Sequence, residues 1–478
     1  MSVHRPTGSA PIQDTLELTW TERPKHAEHD GPPIPGVVMV SHAGEPVFAG
    51  APLVNGRLTL GRGDRVGQFL IEDGWISRQH AEIELTPAGW QVADVGSRNG
   101  SAIDGITLQG ERRLIEHPRV IRLGNSLFLA RRDIRPYLLS PPSIRHGIIM
   151  GPKLQKTWSE IARAAHFGST LHITGESGAG KELASRAFHD QGPRHSGPFI
   201  AVNCATIPPN LAERLLFGAK KGAYSGADAD AKGYVNEAHK GTLFLDEVAE
   251  LDLTVQAKLL RVLENREVTP LGAARAQPVD LHICSATHRN LRDAVSDGKL
   301  REDLYFRLSQ PHVELPPLRS RPEEIPMLVD RAVRRVLDEA IKRGSPSDVT
   351  VKAHVSLVET CMLRHWPGNV RELMAEVAAA VQTAVTQGSE EVEGRHLRER
   401  AGTAFESGSF TAGSALPVAE TPTPAPAGGQ KQQFTQEQIE AVLREERGNV
   451  SRSARRLGLH RTQLRRIIDR YEIDPKAL

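Results

Sequence analysis

A compact apolar strand, Leu171-His172-Ile173-Thr174, runs straight into Gly175-Glu176-Ser177-Gly178-Ala179-Gly180-Lys181, and a helical pattern opens behind it. Glycines in this setting let backbone N–H groups wrap a phosphate beside a helix N-terminus, and Lys181 can reach the β- and γ-phosphates. The residue after the lysine is Glu182, so the hydroxyl that commonly ligates magnesium there is missing. A second element supports the first. Gly241-Thr242-Leu243-Phe244-Leu245 reads as a buried strand ending in two acids: Asp246 would hold Mg2+, leaving Glu247 free of metal to polarise an attacking water. Such strands alternate with helical periodicity, which predicts an α/β domain with a parallel sheet.

At 478 residues the chain is too long for one hydrophobic core, and roughly 100 to 200 residues per domain suggests about three. Residues 36–135 show short apolar alternation, as in Ala81-Glu82-Ile83-Glu84-Leu85, broken by Gly, Asn and Asp turns, and predict an all-β module. The expected boundaries are a flexible tail at 1–35, the β module at 36–135, a proline-bearing linker at 136–147 and the ATPase at 148–388. A Pro-, Ala-, Ser- and Thr-rich linker at 389–432 and a small helical domain at 433–478 follow. No apolar run approaches the roughly 20 residues that span a bilayer, and the polar N-terminus has no apolar signal region, so the expected location is the cytoplasm, away from any membrane. Cys204, Cys284 and Cys361 form no CxxC pair and read as small buried side chains.

Net charge is only +2, but its distribution is uneven. Eight arginines between Arg447 and Arg470 face one acid, Asp469, a balance suited to phosphate contact. The stretch from Gly448 to Arg466 reads as helix, glycine turn at Gly458, helix, which is helix-turn-helix spacing.

GESGAGKE, AVNCATI, LLFGAKKGAYSGA, GTLFLDE, REDLYFRL, LPPLRSR and WPGNVREL occur in an order that resembles the sigma-54 activator class of AAA+ ATPases, over roughly residues 146–388. The resemblance implies an α/β ATPase with a helical lid, in which a Glu at position 182 is usual. It assigns Gly175, Glu176, Ser177, Gly178, Ala179, Gly180, Lys181 and Glu182 to the nucleotide, with Arg371 as sensor II. Asn203 matches the asparagine that switches the catalytic Glu247, and Thr287 and His288 fall in the sensor I segment. Arg301 and Arg307 match arginines offered to a neighbouring subunit's nucleotide; a γ-phosphate neutralised only by a neighbour requires a homo-oligomer, from dimer to hexameric ring. Gly222, Ala223, Tyr224, Ser225, Gly226 and Ala227 resemble the loop that touches sigma-54, with Tyr where the family has Phe and Ser where it has Thr.

Gly61-Arg62, Ser77-Arg78-Gln79-His80 and Gly96-Ser97-Arg98-Asn99-Gly100 are spaced as in a forkhead-associated (FHA) domain, an all-β sandwich that reads phosphothreonine. By that resemblance Arg62 and Ser77 take the phosphate, Asn99 holds the peptide, and His80 and Gly100 support the loops, with Arg78 and Arg98 adding positive field. A phosphothreonine protein, the product of a Ser/Thr kinase, is the expected input. The all-α C-terminal segment resembles a Fis-type helix-turn-helix: Arg461, Gln463 and Arg465 are candidates for base or phosphate contact, and Arg455 and Arg456 for the DNA backbone. The expected function is ATP-driven remodelling of the sigma-54 RNA polymerase holoenzyme from an upstream DNA site. An AAA+ remodelling motor with an adaptor head and a phosphothreonine scaffold with an inactive ATPase are alternatives; intact Lys181, Asp246, Glu247, Arg301 and Arg307 weigh against the scaffold.

Overall fold

The computed structural model describes residues 31–67, 69–225, 227–343 and 351–404, together with Leu443, Arg444, Ser453 and Ile468. It divides into two units, Met1–Ser407 and Gly408–Leu478. Arg455, Arg456, Arg461, Gln463 and Arg465 lie outside the described residues, as does Gly226.

The β module is a sandwich of antiparallel sheets. One sheet orders Glu45–Pro52, Gly36–His42, Ser126–Arg131, Ile121–Leu123, Ser101–Ile103 and Ile106–Leu108; the other orders Arg112–Ile115, Gly89–Asp94, Ala81–Thr86 and Arg57–Leu60. Alternate side chains face inward, so Val37, Met39, Ile83, Val92, Ile121, Leu123 and Phe128 fill the space between the sheets. Both faces of the first sheet are buried. The intervening side chains Val38, Val40, Val120, Leu127 and Leu129 belong to a different core, shared with helices from the far end of the chain.

The ATPase sheet is parallel, in the order Phe199–Asn203, Thr242–Asp246, His282–Thr287, Thr170–Thr174 and His312–Glu314. Its strands are apolar at nearly every position because helices cover both faces. Phe244, Cys284 and Ile173 pack with Leu154, Ile161 and Phe188 of the helices Pro152–Phe167 and Lys181–Asp190. Leu243, Leu245 and Ile283 pack on the opposite side with Leu216, Leu259 and Val262. Each such buried Leu, Ile or Phe side chain contributes about 1.5–3 kcal/mol.

The helical lid consists of Ile325–Lys342, Val355–Leu363 and Asn369–Thr386. Trp366 sits fully buried between the last two, its indole N–H donating to Cys361 O at 2.6 Å. Residues 136–147 and the described residues 389–404, expected as linker, are packed structure. Lys352–Ala353 pairs with Glu391–Val392, and Leu397 and Ala401 are buried in the lid core. Gly402 closes on Trp366 so tightly that a Cβ there would lie 2.8 Å from the indole, and its N–H and C=O bond Glu372 and the Trp366 N–H. The stretch from 389 to 404 therefore covers an aromatic side chain that would otherwise meet water. At the other end of the ATPase, Arg135–Leu139 is a short helix with Tyr137 buried, and Ser143–Arg145 pairs with Ile148–Met150. The three cysteines are buried and unpaired. No helix among the described residues is long and apolar enough to cross a membrane.

Candidate functional site

Parallel strands converge their C-terminal ends on one edge of the sheet, and crevices for ligands form there. Thr174, Asn203, Asp246 and Thr287 are the last residues of four adjacent strands. The loop after Thr174 turns through left-handed glycines, Gly178 at φ 73° and Gly180 at φ 109°, a conformation that costs glycine little. Gly180 then caps the helix Lys181–Asp190, whose free N–H groups face the loop. Lys181 Nζ donates to Gly175 O at 3.0 Å, within the cradle it would share with a phosphate.

The lid closes directly onto this loop. A Cβ at Gly178 would lie 2.1 Å from Gly368 O and 3.0 Å from Arg371 Cβ, and Arg371 Nη1 lies 3.4 Å from Ser177 Oγ. Asn369, buried and left-handed at φ 50°, accepts from Leu318 N at 2.7 Å and donates to Glu176 Oε2 at 3.1 Å and Ser177 O at 3.0 Å. Arg319 forks onto Glu176 at 2.8 and 2.6 Å. The Arg319 bonds, outweighing partial burial, hold the Glu176 carboxyl below its ordinary pKa, so the loop carries a fixed negative anchor for the lid. Arg319 and Asn369 were not singled out from sequence. They stand inside quoted segments, LPPLRSR and WPGNVREL, but spacing does not say that both reach residue 176.

Asp246 is half-buried, and its Oδ1 has no hydrogen-bond partner. Burial pushes its pKa up, with Lys181 opposing and Glu247 adding to the rise. An orphaned carboxylate oxygen beside the phosphate loop fits a hard divalent cation such as Mg2+. Among the described residues no group of three or more His, Cys, Asp or Glu could hold a metal.

Glu247 adopts the left-handed region at φ 55°. Its Oε1 meets His288 Nδ1 at 2.7 Å, and its Oε2 accepts from Thr287 Oγ1 at 3.1 Å and from His288 N at 3.4 Å. Burial alone would raise its pKa; the bonds from His288 and Thr287 prevail and hold it below the ordinary value, so the carboxylate stays ionised and able to accept a proton. Asn203 is not its partner. The Asn203 Oδ1 accepts from Ala205 N at 3.0 Å, capping the turn Cys204–Thr206.

Arg301 stands at the start of the helix Glu302–Leu308 and Arg307 in its last turn, paired with Asp303 at 2.7 Å and Glu264 at 3.2 Å respectively. Both are substantially exposed. Glu182 is exposed on the first turn of its helix.

Residues 220–225 and Ala227 belong to a tight excursion pinned at its base: Ala219 bridges Ala231 and Leu271, and Lys220 pairs with Asp230 at 2.5 Å. Gly222 N donates to Ala227 O and Ala227 N to Tyr224 O, at 2.9 and 3.0 Å. Tyr224 is 37% exposed, with Arg214 Nη1 donating to its hydroxyl at 2.8 Å. Arg214, unnoticed in the sequence, also lies 5.3 Å from the ring centroid. Ser225 is exposed on the same excursion, and Ala223 packs against Gly272.

At the loop end of the sandwich, Arg62 N donates to Ser77 O at 2.9 Å, and the Arg62 side chain is exposed. Ser77 Oγ accepts from Arg98 N at 3.1 Å, and Asn99 Nδ2 donates to Trp75 O at 2.9 Å. His80 is fully buried and ties the loops together, accepting from Ser77 N at 3.0 Å and contacting Gly100 O at 3.1 Å through its other nitrogen. Asp94 was missed in the sequence. It gathers Ser97, Ser101, Gly96 and Gly110; burial opposes this, but those bonds keep its pKa below the usual range. The structure thus brings Arg62, Ser77 and Asn99 onto one rim, supported from below by His80 and Asp94.

Fold and site together define an AAA+ P-loop ATPase that carries an FHA sandwich. A family model described as the sigma-54 interaction domain matches residues 148–314, one for the FHA domain matches 58–124, and one for the bacterial regulatory protein Fis family matches 432–471. The chain is 35% identical over 340 residues to the transcriptional regulatory protein ZraR of Salmonella typhimurium, covering 70% of each chain. It is 36% identical over 332 residues to GlrR of Escherichia coli, covering 69% of each, and 44% identical over 223 residues to NtrC of Azospirillum brasilense, covering 46% of this chain and 45% of that one. Among solved structures, NtrX from Brucella abortus in complex with ADP is 31% identical with a TM-score of 0.47, covering 67% of this chain and 68% of that one. The chain belongs to the family of sigma-54 transcriptional regulators.

Proposed function

We propose that the protein binds DNA upstream of sigma-54 promoters through its Fis-type module and assembles into a ring that hydrolyses ATP to remodel the sigma-54 holoenzyme. The observation that carries this reading is the pinned excursion bearing Tyr224, built on the same domain that carries Lys181 at a helix N-terminus and Asp246 and Glu247 at a strand end. Lys181 and the loop N–H groups bind the phosphates. Asp246 would hold Mg2+, which supplies charge neutralisation for the phosphates. Glu247, ionised and aimed by Thr287 and His288, accepts the proton of the attacking water. Arg371 meets the nucleotide from the lid. Exposed Arg301 and Arg307 exchange their present partners for the nucleotide of an adjoining subunit, so turnover depends on assembly.

Phosphothreonine on a protein modified by a Ser/Thr kinase is the ligand of the FHA rim, with Arg62 and Ser77 on the phosphate and Asn99 on the peptide. The FHA domain is the regulatory input in this reading. The test is ATP-dependent open-complex formation by purified protein on a sigma-54 promoter. Open complexes with wild type and none with Glu247→Gln or with residues 222–227 deleted are expected; normal ATP hydrolysis that never opens the promoter would refute the assignment.

A further inference from the structure

The FHA sandwich and the lid share one hydrophobic core. Val38, Val40, Val120, Leu127 and Leu129 from the outer face of the first FHA sheet cluster with Leu328, Val329, Val355 and Val358 of the lid. Polar contacts fix the register: Arg122 pairs with Glu359 at 2.8 Å, and Arg119 Nη1 donates to Leu363 O at 3.0 Å. The backbones touch as well. A Cβ at Gly44 would lie 1.7 Å from Ala353 O. Linkers that merely tether domains leave solvated surfaces between them, whereas here apolar side chains of both bodies are buried in one cluster.

A single hairpin, Ile121–Leu123 and Ser126–Arg131, joins the phosphopeptide rim to that interface. Its turn at Gly124-Asn125 is clasped by the rim: Asp73 Oδ2 accepts from Asn125 N at 2.8 Å while Asp73 Oδ1 accepts from Trp75 N at 2.9 Å. Trp75 O in turn receives the Asn99 side chain. A Cβ on Gly124 would meet Asp73, Ile76 and Trp75 at 2.8–3.1 Å, so the rim segment cannot shift without moving the turn. The hairpin's outer face carries Arg122, Leu127 and Leu129 onto the lid, and the lid's Asn369 and Arg371 rest on the nucleotide loop.

We propose that this hairpin couples the phosphopeptide rim to the nucleotide site through the lid, so that occupancy of either site changes the affinity of the other. The proposal rests on the ATPase and FHA readings above and adds how the sensor reaches the engine. Coupling of this kind is reciprocal: whatever phosphopeptide does to nucleotide, nucleotide must do to the rim. The rim's response can therefore be read with ADP alone, without knowing the phosphoprotein.

Hydrogen–deuterium exchange of the full-length protein, with and without saturating ADP and Mg2+, reads both ends of the path. In wild type, ADP should slow amides 175–182 and change exchange at 73–80 and 96–100 by threefold or more. Asp73→Ala, which cuts the rim from the turn, and Gly44→Ala, which wedges the lid interface, should keep the response at 175–182 and lose it at the rim. They act at opposite ends of the path, so failure of one to fold leaves the other informative. A wild-type rim indifferent to ADP while 175–182 is protected overturns the coupling and leaves the ATPase reading standing. Retained rim response in both variants overturns the hairpin as its route. No protection at 175–182 overturns the nucleotide reading, and the proposal with it.

Discussion

Replacing Asn369 tests whether the lid holds the nucleotide loop in its working shape. Asn369→Ala removes the acceptor for Leu318 N and the donors to Glu176 and Ser177. A buried N–H left unpaired costs about 1–3 kcal/mol, and each exchanged bond to the loop about 1 kcal/mol, so the lid's attachment should weaken by about 3–5 kcal/mol. Only the bonds to the loop bear on binding; their loss, about 2 kcal/mol, corresponds to roughly thirtyfold in Kd for ADP. Asn369→Asp separates the two effects. The carboxylate still accepts from Leu318 N but turns an acceptor toward Glu176, so ADP affinity should fall at least as far as in the alanine variant while thermal stability falls less. Isothermal titration with ADP and thermal melts of the full chain measure both quantities. Affinities within threefold of wild type for both variants would show that the loop is pre-formed without the lid.

Four further outcomes are expected. His172 is buried in the central sheet, and burial, reinforced by His312, lowers its pKa to about 4 from 6.5. The unfolded chain then binds the extra proton between those values, so about 3 kcal/mol of stability is lost as pH falls from 6.5 to 4, and urea midpoints across that range should flatten in His172→Asn. His288→Ala frees Glu247 from its shortest contact and should lower kcat about tenfold or more with little change in KM for ATP, while His288→Asn, which keeps a donor, should recover part of the rate. Gly61→Ala drives a methyl to 1.9 Å from Arg78 O and should abolish binding of phosphothreonine peptides, scored by fluorescence polarisation, with ATP hydrolysis unchanged. Gly402→Val forces side-chain atoms into the Trp366 ring and should lower the melting temperature by several degrees, equivalent to about 1–3 kcal/mol, together with a shift in tryptophan fluorescence.

Motifs whose chemistry is local were legible before any coordinates. Gly178, Gly180 and Lys181 need only a strand before them and a helix after them, and the sequence carries both; the strand Thr242–Asp246 announces itself by an unbroken apolar run because helices cover it on two sides. The rim residues Arg62, Ser77 and Asn99 were likewise readable from short loop signatures. What stayed hidden depends on contacts between residues distant in the chain. Nothing in the spacing says that Glu247 faces His288 in place of Asn203, since that choice follows from the left-handed backbone at Glu247 and from which strand end lies beside it.

The same division holds for the domain plan. Val37-Val38-Met39-Val40 has no period-two alternation, and the run by itself is compatible with a strand buried on both faces, but not with any particular cover. Local pattern could establish the sandwich and the parallel sheet, and could point to the loops where a phosphate is expected, because those follow from backbone periodicity and loop chemistry. Only the folded molecule decided that the lid lies on the sandwich and that residues past 388 seal Trp366. Both are packing choices between surfaces that become dry on meeting, and their free energy resides in shape complementarity across segments that sequence order keeps apart.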